Sequence, residues 1–385
     1  MASSEECQKP KILLLGTIEH PNQLTTNPNL HSHSAHDAWK QITSIADIIT
    51  PQSTSRTDFI TECASGAFSS CLLAYRTFDS TLLTGPLDQE LISALPPSVK
   101  YIIHVGAGYD AISIPACTAR GIRVSNTPSA VDEATADCAL FLLLGAMRNF
   151  NAGMTALRRG EWRGGDEEQV RSGEKGTKMP ALGRDPRGKT LGILGMGGIG
   201  KCLAKKVTGA FGMKVRYLNR RRDEEGEREL RDQAGVEVEW VCGDGDDQNG
   251  VEEGLKRLLG ESDVLSLNLP LNANTRHIIS TKEFAMMKRG IVIINTARGA
   301  VMDEAALVEA LESGQVHSVG LDVYENEPEI HPGLLANPNV MLVPHMGTWT
   351  VETETKMEEL AISNVQMAIE EGKLRSIVPE QRDMQ

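Results

Sequence analysis

The chain has 385 residues and a formal net charge of −13 at pH 7, with 40% hydrophobic and 24% charged residues. That length accommodates about two globular domains with buried cores, and the acidic balance argues against nucleic acid and anionic membrane surfaces as partners. The seven cysteines are scattered singly with no Cys-x-x-Cys pair, which argues against a zinc or dithiol site and for a reducing compartment. The first residues, Met1-Ala2-Ser3-Ser4-Glu5-Glu6, hold no apolar leader core, and Asp383-Met384-Gln385 is not a peroxisomal address. The best apolar stretch, residues 139–147, is too short to span a bilayer. The expectation is a cytoplasmic enzyme without a metal site.

In chain order, Lys11-Ile12-Leu13-Leu14-Leu15 reads as a buried first strand. Further short apolar runs follow at Ala46-Asp47-Ile48-Ile49, Cys71-Leu72-Leu73-Ala74-Tyr75 and Tyr101-Ile102-Ile103-His104-Val105. Helical or loop stretches such as residues 89–95 separate them, and this alternation predicts a parallel sheet. Residues 1–126 therefore read as one α/β unit. Asn126-Thr127-Pro128 breaks the pattern. Residues 133–150 then read as a helix apolar on most faces, hence buried between domains or between subunits. Residues 163–188 are rich in Gly, Arg and Lys and read as a loop. From Lys189 the alternation resumes, with a strand at 189–194, a helix at 199–211 and a strand at 213–218. Residues 223–261 are sharply acidic and read as a variable surface insertion. Four more strands, at 263–267, 290–295, 318–323 and 340–343, precede a final amphipathic helix at 353–371.

Gly195-Met196-Gly197-Gly198-Ile199-Gly200 follows a strand and opens a helix, as a dinucleotide loop requires. Gly195 permits the tight turn, Gly197 lets backbone approach a pyrophosphate, and Gly200 lets helix and strand pack closely. The helix N-terminus then faces the phosphates. The next strand ends at Leu218-Asn219-Arg220-Arg221-Arg222. An NAD enzyme places Asp or Glu near Asn219 to hold the ribose hydroxyls. Here that acid is absent, and Arg220 and Arg221 suit a 2′-phosphate. NADP is the expected cofactor, with NAD possible.

Three polar residues each follow a short apolar run: Arg298 after Ile291-Val292-Ile293-Ile294, Glu327 after Gly320-Leu321-Asp322-Val323-Tyr324, and His345 after Val340-Met341-Leu342-Val343. A permanent guanidinium can grip the carboxylate of a 2-keto acid and polarise its keto oxygen. An imidazole near its working pKa can pass a proton to that oxygen. A carboxylate at Glu327 can orient the ring and favour its protonated form.

These blocks, with Val105-Gly106-Ala107-Gly108-Tyr109-Asp110, Glu133-Ala134-Thr135-Ala136-Asp137 and Pro344-His345-Met346-Gly347, resemble the D-isomer-specific 2-hydroxyacid dehydrogenase family from about Val105 to Thr348. The resemblance implies the same catalytic roles for Arg298, Glu327 and His345. It implies that backbone at Ala107 and Gly108 holds the substrate carboxylate, and that Gly198, Ile199, Asn219, Thr296 and Asp322 touch the cofactor. It implies two Rossmann-like or flavodoxin-like α/β domains with parallel sheets. One is a discontinuous substrate domain, residues 1–126 and 346–385; the other is a dinucleotide-binding domain, residues 127–345, with closure about the crossovers. It also implies a homodimer joined through helix 133–150 and an arm through Trp162.

The chain departs from the family at Asn268, where His is frequent, and at Thr348-Trp349-Thr350, where small residues are usual. Trp349 shapes a larger pocket or simply packs. The expected reaction is reduction of a small 2-keto acid of the glyoxylate or hydroxypyruvate type to the D-2-hydroxy acid. A bulkier keto acid, mandelate-type or branched, stays open because of Trp349. A dinucleotide-sensing interaction protein, like the C-terminal-binding-protein corepressors that resemble this fold, is the alternative from another class.

Overall fold

Among the described residues the chain forms twelve strands, and every pairing between them is parallel. The structure, a computed structural model, describes residues 9–18, 34–160, 181–242 and 248–384. Trp162 and most of the expected 163–188 loop lie outside these. Contacts divide the chain into two units, Met1–Val131 with Thr348–Gln385, and Asp132–Gly347. The first crossing falls after Val131 because Asn126 and Thr127 still bond within the first unit, through Asn126 N to Ser376 O and Thr127 N to Gly106 O.

The first unit holds β1 (Lys11–Leu15), β2 (Asp47–Ile49), β3 (Cys71–Arg76), β4 (Tyr101–His104) and β5 (Arg123–Ser125), in the order β2-β1-β3-β4-β5. This is the flavodoxin-like order. Both faces are covered, so the strands are apolar throughout rather than alternating: Leu13, Leu15, Ala74 and Ile102 enter one core, and Ile12, Leu14, Leu73 and Ile103 the other. The helix Val351–Glu370 packs on the helix Ser34–Ile45, where Trp39 Nε1 donates to Glu358 Oε1 at 2.7 Å. The segment after it returns along β5, with Ile377 bridging Ser125 and Gln381 bonding to Val124 N and Ile122 O. This covers a sheet edge that would otherwise present open ladder groups.

The second unit holds β6 (Thr190–Leu194), β7 (Lys214–Leu218), β8 (Val238–Trp240), β9 (Val264–Leu267), β10 (Ile291–Asn295), β11 (Val316–Leu321) and β12 (Met341–Leu342). Their order is β12-β11-β10-β9-β6-β7-β8. It reverses direction between β6 and β9, the switch point at which doubly wound sheets bind ligands. The apolar helix Asp132–Met147 is buried by β10 and β11 on one side and by the helix Gly198–Phe211 on another.

Two expectations are corrected. The helix expected over 133–150 ends at Met147, and a second helix runs Phe150–Arg158. Asn149 sits between them in the left-handed region at φ 53°, with Nδ2 donating to Ala181 O at 2.9 Å; Asn tolerates that conformation better than other side chains. The acidic stretch 223–261 is not an insertion. It contains the helix Glu224–Ala234, the edge strand β8 and the helix Gln248–Glu261, which packs on β6 and β7. Most of its described acids face solvent, with Glu227 turned inward onto Tyr217, while Leu230, Val236, Val241, Leu258 and Leu259 anchor it to the core. Residues 243–247 lie outside the described chain.

Asn364, fully buried in the helix Val351–Glu370, ties the returning segment down. Its Oδ1 accepts from Arg375 N and Ser376 N, and its Nδ2 donates to Leu360 O and Ser376 Oγ, all within 2.8–3.0 Å. Asn364→Leu leaves the backbone N–H groups of Arg375 and Ser376 without this acceptor and removes two further bonds. It is expected to destabilise the first unit by about 2–3 kcal/mol, read as a lower thermal midpoint with cofactor affinity unchanged.

Candidate active site

Strand register places the catalytic candidates. Asn295, Leu321 and Leu342 are aligned partners across β10, β11 and β12. Arg298 therefore emerges three residues beyond one strand end, Asp322 directly after the next, and His345 three residues beyond the third. Neighbouring strands are about 4.8 Å apart, so the three turns leave one edge of one sheet side by side.

His345 Nδ1 and Glu327 Oε2 are 2.7 Å apart. The other carboxylate oxygen, Oε1, accepts from Tyr324 N at 2.9 Å. Burial alone would raise the Glu327 carboxyl. The hydrogen bond and charge of His345, the Tyr324 N–H and the charge of Arg298 outweigh it and hold the group below its usual range. Glu327 is thus a fixed negative charge beside the imidazole. Tyr324 also donates its hydroxyl to Val343 O at 2.9 Å, stapling the Glu327 turn to the His345 turn.

Arg298 is set by Asn295, whose Nδ2 donates to Arg298 O at 2.9 Å and whose Oδ1 accepts from Ala297 N at 3.0 Å. Gly299 lets that turn lie directly on the Tyr324–Glu325 backbone, where a Cβ would overlap the Tyr324 carbonyl. Beneath, the buried Glu304 accepts from Glu325 N at 2.6 Å. Asp322, expected against the nicotinamide, uses both oxygens on the turn after His345, accepting from Met346 N at 2.6 Å and Gly347 N at 2.8 Å. Burial raises its carboxyl, with those two N–H groups and the charge of His345 opposing.

The nucleotide loop behaves as its spacing requires. Gly195 sits at φ 95°, a region closed to side chains, and a Cβ on Gly200 would press on Gly195 O and Ile193. Gly197 borders open space, Gly198 begins the helix Gly198–Phe211, and Ile199 lies in its first turn. Asn219 accepts from Met196 N at 2.7 Å, so it fixes the loop itself. The arginine run divides. Arg222 forms a paired contact with Glu227 at 2.9 and 2.8 Å, whereas Arg220 and Arg221 are exposed and pair with no group among the described residues. The Thr296 hydroxyl, at the end of β10, is buried with no hydrogen-bond partner among the described residues. Asn268 donates to Ser266 Oγ at 3.0 Å, and its Oδ1 is likewise buried with no hydrogen-bond partner among the described residues.

In the first unit, Gly106 O accepts from Thr127 N at 2.9 Å and Ala107 O accepts from Asn126 Nδ2 at 2.7 Å. In a trans peptide the N–H points opposite to the carbonyl. With both carbonyls tied to Asn126-Thr127, the N–H groups of Ala107 and Gly108 are turned away from that segment, a pair of donors suited to an anion. Sequence reading missed the supports Asn295, Tyr324 and Glu304. Their signal was only adjacency to the catalytic positions, and their partners are set by tertiary structure.

The model of the family described as D-isomer specific 2-hydroxyacid dehydrogenase, NAD binding domain, matches residues 140–347. The chain belongs to the D-isomer specific 2-hydroxyacid dehydrogenases. It is 47% identical to 4-methyl-2-oxopentanoate reductase A of Aspergillus oryzae over 97% of this chain and 99% of that protein. It is 44% identical to glyoxylate reductase 1 of Saccharomyces cerevisiae over 89% and 91% of the two chains. Among solved structures it is similar to a glyoxylate reductase from Paecilomyes thermophila, with a TM-score of 0.81 and 47% identity over 97% of this chain and 99% of that one. As a D-isomer specific 2-hydroxyacid dehydrogenase it is an NAD(P)-dependent oxidoreductase of 2-keto and 2-hydroxy acids. The residues present fit a nicotinamide dinucleotide: an open glycine turn at a helix N-terminus, two exposed arginines, and the orphaned Thr296 hydroxyl. No described helix is long and apolar enough to cross a membrane.

Replacing Glu327 by Gln removes the fixed negative charge facing His345. Glu327→Gln is expected to lower kcat/KM for keto-acid reduction roughly 10²-fold or more, measured against wild type in steady-state assays.

Proposed function

We propose that this dehydrogenase reduces a small 2-keto acid of the glyoxylate or hydroxypyruvate type to the D-2-hydroxy acid, with NADPH preferred over NADH. The observation that carries this is the 2.7 Å His345–Glu327 pair beside Arg298 on one sheet edge. A bound nicotinamide dinucleotide supplies the hydride. Arg298 holds the substrate carboxylate in a forked contact and polarises the keto oxygen. Backbone N–H groups of Ala107 and Gly108 are proposed to bind a substrate carboxylate. Because Nδ1 of His345 faces Glu327, Nε2 faces the substrate and passes its proton to the carbonyl oxygen, leaving a neutral ring with Nδ1–H on Glu327. Asp322 acts chiefly by holding the turn after His345, with its remaining lone pairs open to the nicotinamide amide.

Gly195, Gly197, Gly198, Ile199 and Gly200 are proposed to cradle the pyrophosphate, with Thr296 and Asn219 lining the site. Arg220 and Arg221, which lack carboxylate partners among the described residues, are proposed to take the 2′-phosphate. The six free cysteines among the described residues fit a reducing, cytoplasmic location. A homodimer is supported by Phe141, Phe150, Leu157 and Leu182, which are 43–94% exposed, and by the helix Phe150–Arg158, which buries none of its residues.

A second reading, a branched 2-keto acid, is favoured by Trp349, 58% exposed, and by the relative named for 4-methyl-2-oxopentanoate. A panel of 2-keto acids assayed with NADPH and NADH separates the two. The highest kcat/KM is expected on glyoxylate or hydroxypyruvate, with the lower KM for NADPH. Arg298→Ala should abolish useful turnover, and His345→Ala should lower kcat by about 10³–10⁴-fold with NADPH still bound. Near-normal turnover in either variant removes that residue's role, and tight cofactor binding without turnover on the whole panel favours a sensing protein. In light scattering the wild type is expected at twice the 41.8 kDa chain mass, and the double variant Phe150→Asp with Leu157→Asp at the single-chain mass of 41.8 kDa; a monomeric wild type removes the dimer.

A further inference from the structure

Arg76 and His104 end the adjacent strands β3 and β4 as aligned partners, and both are almost wholly buried, at 2% and 4% exposure. Arg76 Nη1 lies 3.1 Å from His104 Nδ1, and His104 Nε2 lies 2.9 Å from Gly108 O. A guanidinium has only donors and a carbonyl only acceptor sites. Nδ1 therefore accepts from Arg76, and Nε2 carries the hydrogen donated to Gly108 O. The ring is fixed in one tautomer between a cation and the third carbonyl of the Gly106–Ala107–Gly108 turn.

The other two carbonyls of that turn are held by Thr127 N and Asn126 Nδ2. Gly106 lies so close over the ring that a Cβ there would sit 2.6 Å from His104 Nε2. Arg76 Nη2 donates to Thr81 Oγ1 at 3.1 Å, but its buried Nε has no hydrogen-bond partner among the described residues. Burial pushes the guanidinium down to about 10, with the charge of Asp110 opposing, so it stays cationic at neutral pH. A buried cation of this kind is costly to fold. Through His104 it is connected to the turn whose Ala107 and Gly108 N–H groups are turned away from Asn126-Thr127.

We propose that Arg76 and His104 are positioning residues for the substrate carboxylate, fixing the Gly106–Gly108 turn so that Ala107 and Gly108 N–H groups face that anion, with a buried positive charge beneath them. The proposal rests on the reading that this turn holds the carboxylate. It requires an effect on keto-acid binding rather than on the chemical step or on the cofactor.

The test compares Arg76→Met, His104→Phe, His104→Gln and Gly106→Ala with wild type, on the best keto acid of the panel and with oxamate as a carboxylate inhibitor. In Arg76→Met and His104→Phe the KM for the keto acid and the Ki for oxamate are expected to rise roughly tenfold to a hundredfold, the size of a lost charge-assisted hydrogen bond. kcat should change less than about threefold, and NADPH affinity by fluorescence titration should not change. His104→Gln, whose amide can still donate to Gly108 O, should recover most of the loss. Gly106→Ala, which displaces the ring without removing the buried charge, should reproduce it. Unchanged KM and Ki in His104→Phe and Gly106→Ala would overturn the proposal, as would an equal loss in His104→Gln and His104→Phe. If Arg76→Met fails to fold, the two His104 variants and Gly106→Ala decide. A wild type inactive on every keto acid would defeat the functional reading instead, and is seen before any variant is made.

Discussion

The hydrogen bond between His345 and Glu327 joins two turns that arise 18 residues apart, after β12 and after β11. It has meaning only because the two strands pair in register, so that both turns leave the same edge of the sheet. A slip of one residue between parallel strands would shift one turn along the edge and reverse its side chains. The contacts around the pair resist such a slip. Tyr324 bonds across to Val343, Asp322 grips Met346 and Gly347, and Gly299 lets the Arg298 turn rest on the Tyr324 backbone. The His345–Glu327 pair is therefore a product of strand register, supported by the contacts of Tyr324, Asp322 and Gly299.

Charge follows the same logic. Glu327 stays ionised despite burial because a cation and two hydrogen-bond donors surround it. Asp322 is pushed the other way by burial, yet its oxygens are spent on two backbone N–H groups. Two nearby carboxylates thus have different tasks, one electrostatic and one structural, set by their surroundings rather than by residue type.

Much of this was legible beforehand, for identifiable reasons. Strands buried on both faces read as largely apolar stretches, and ten of the twelve lie at or beside stretches read as strands from the sequence. β5 and β8 were missed because Arg123-Val124-Ser125 and Val238-Glu239-Trp240 are short, polar edge strands. The acidic helices flanking β8 looked like an insertion because surface charge outweighs the few leucines and valines that anchor them. Asn149 breaks a helix through a tertiary bond to Ala181 that no local pattern reveals. The catalytic candidates stood out as polar residues past apolar runs, but their supports did not. Arg76 and His104 were visible only as the last letters of two apolar strings, since the register that pairs them is a property of the folded sheet.

The second unit is one uninterrupted stretch, Asp132–Gly347, whereas the first needs the helix Val351–Glu370 and the segment that closes β5. On the ribosome, the five-stranded sheet therefore waits with its β5 border bare while more than two hundred further residues are translated. The nucleotide-binding half can complete its own core first.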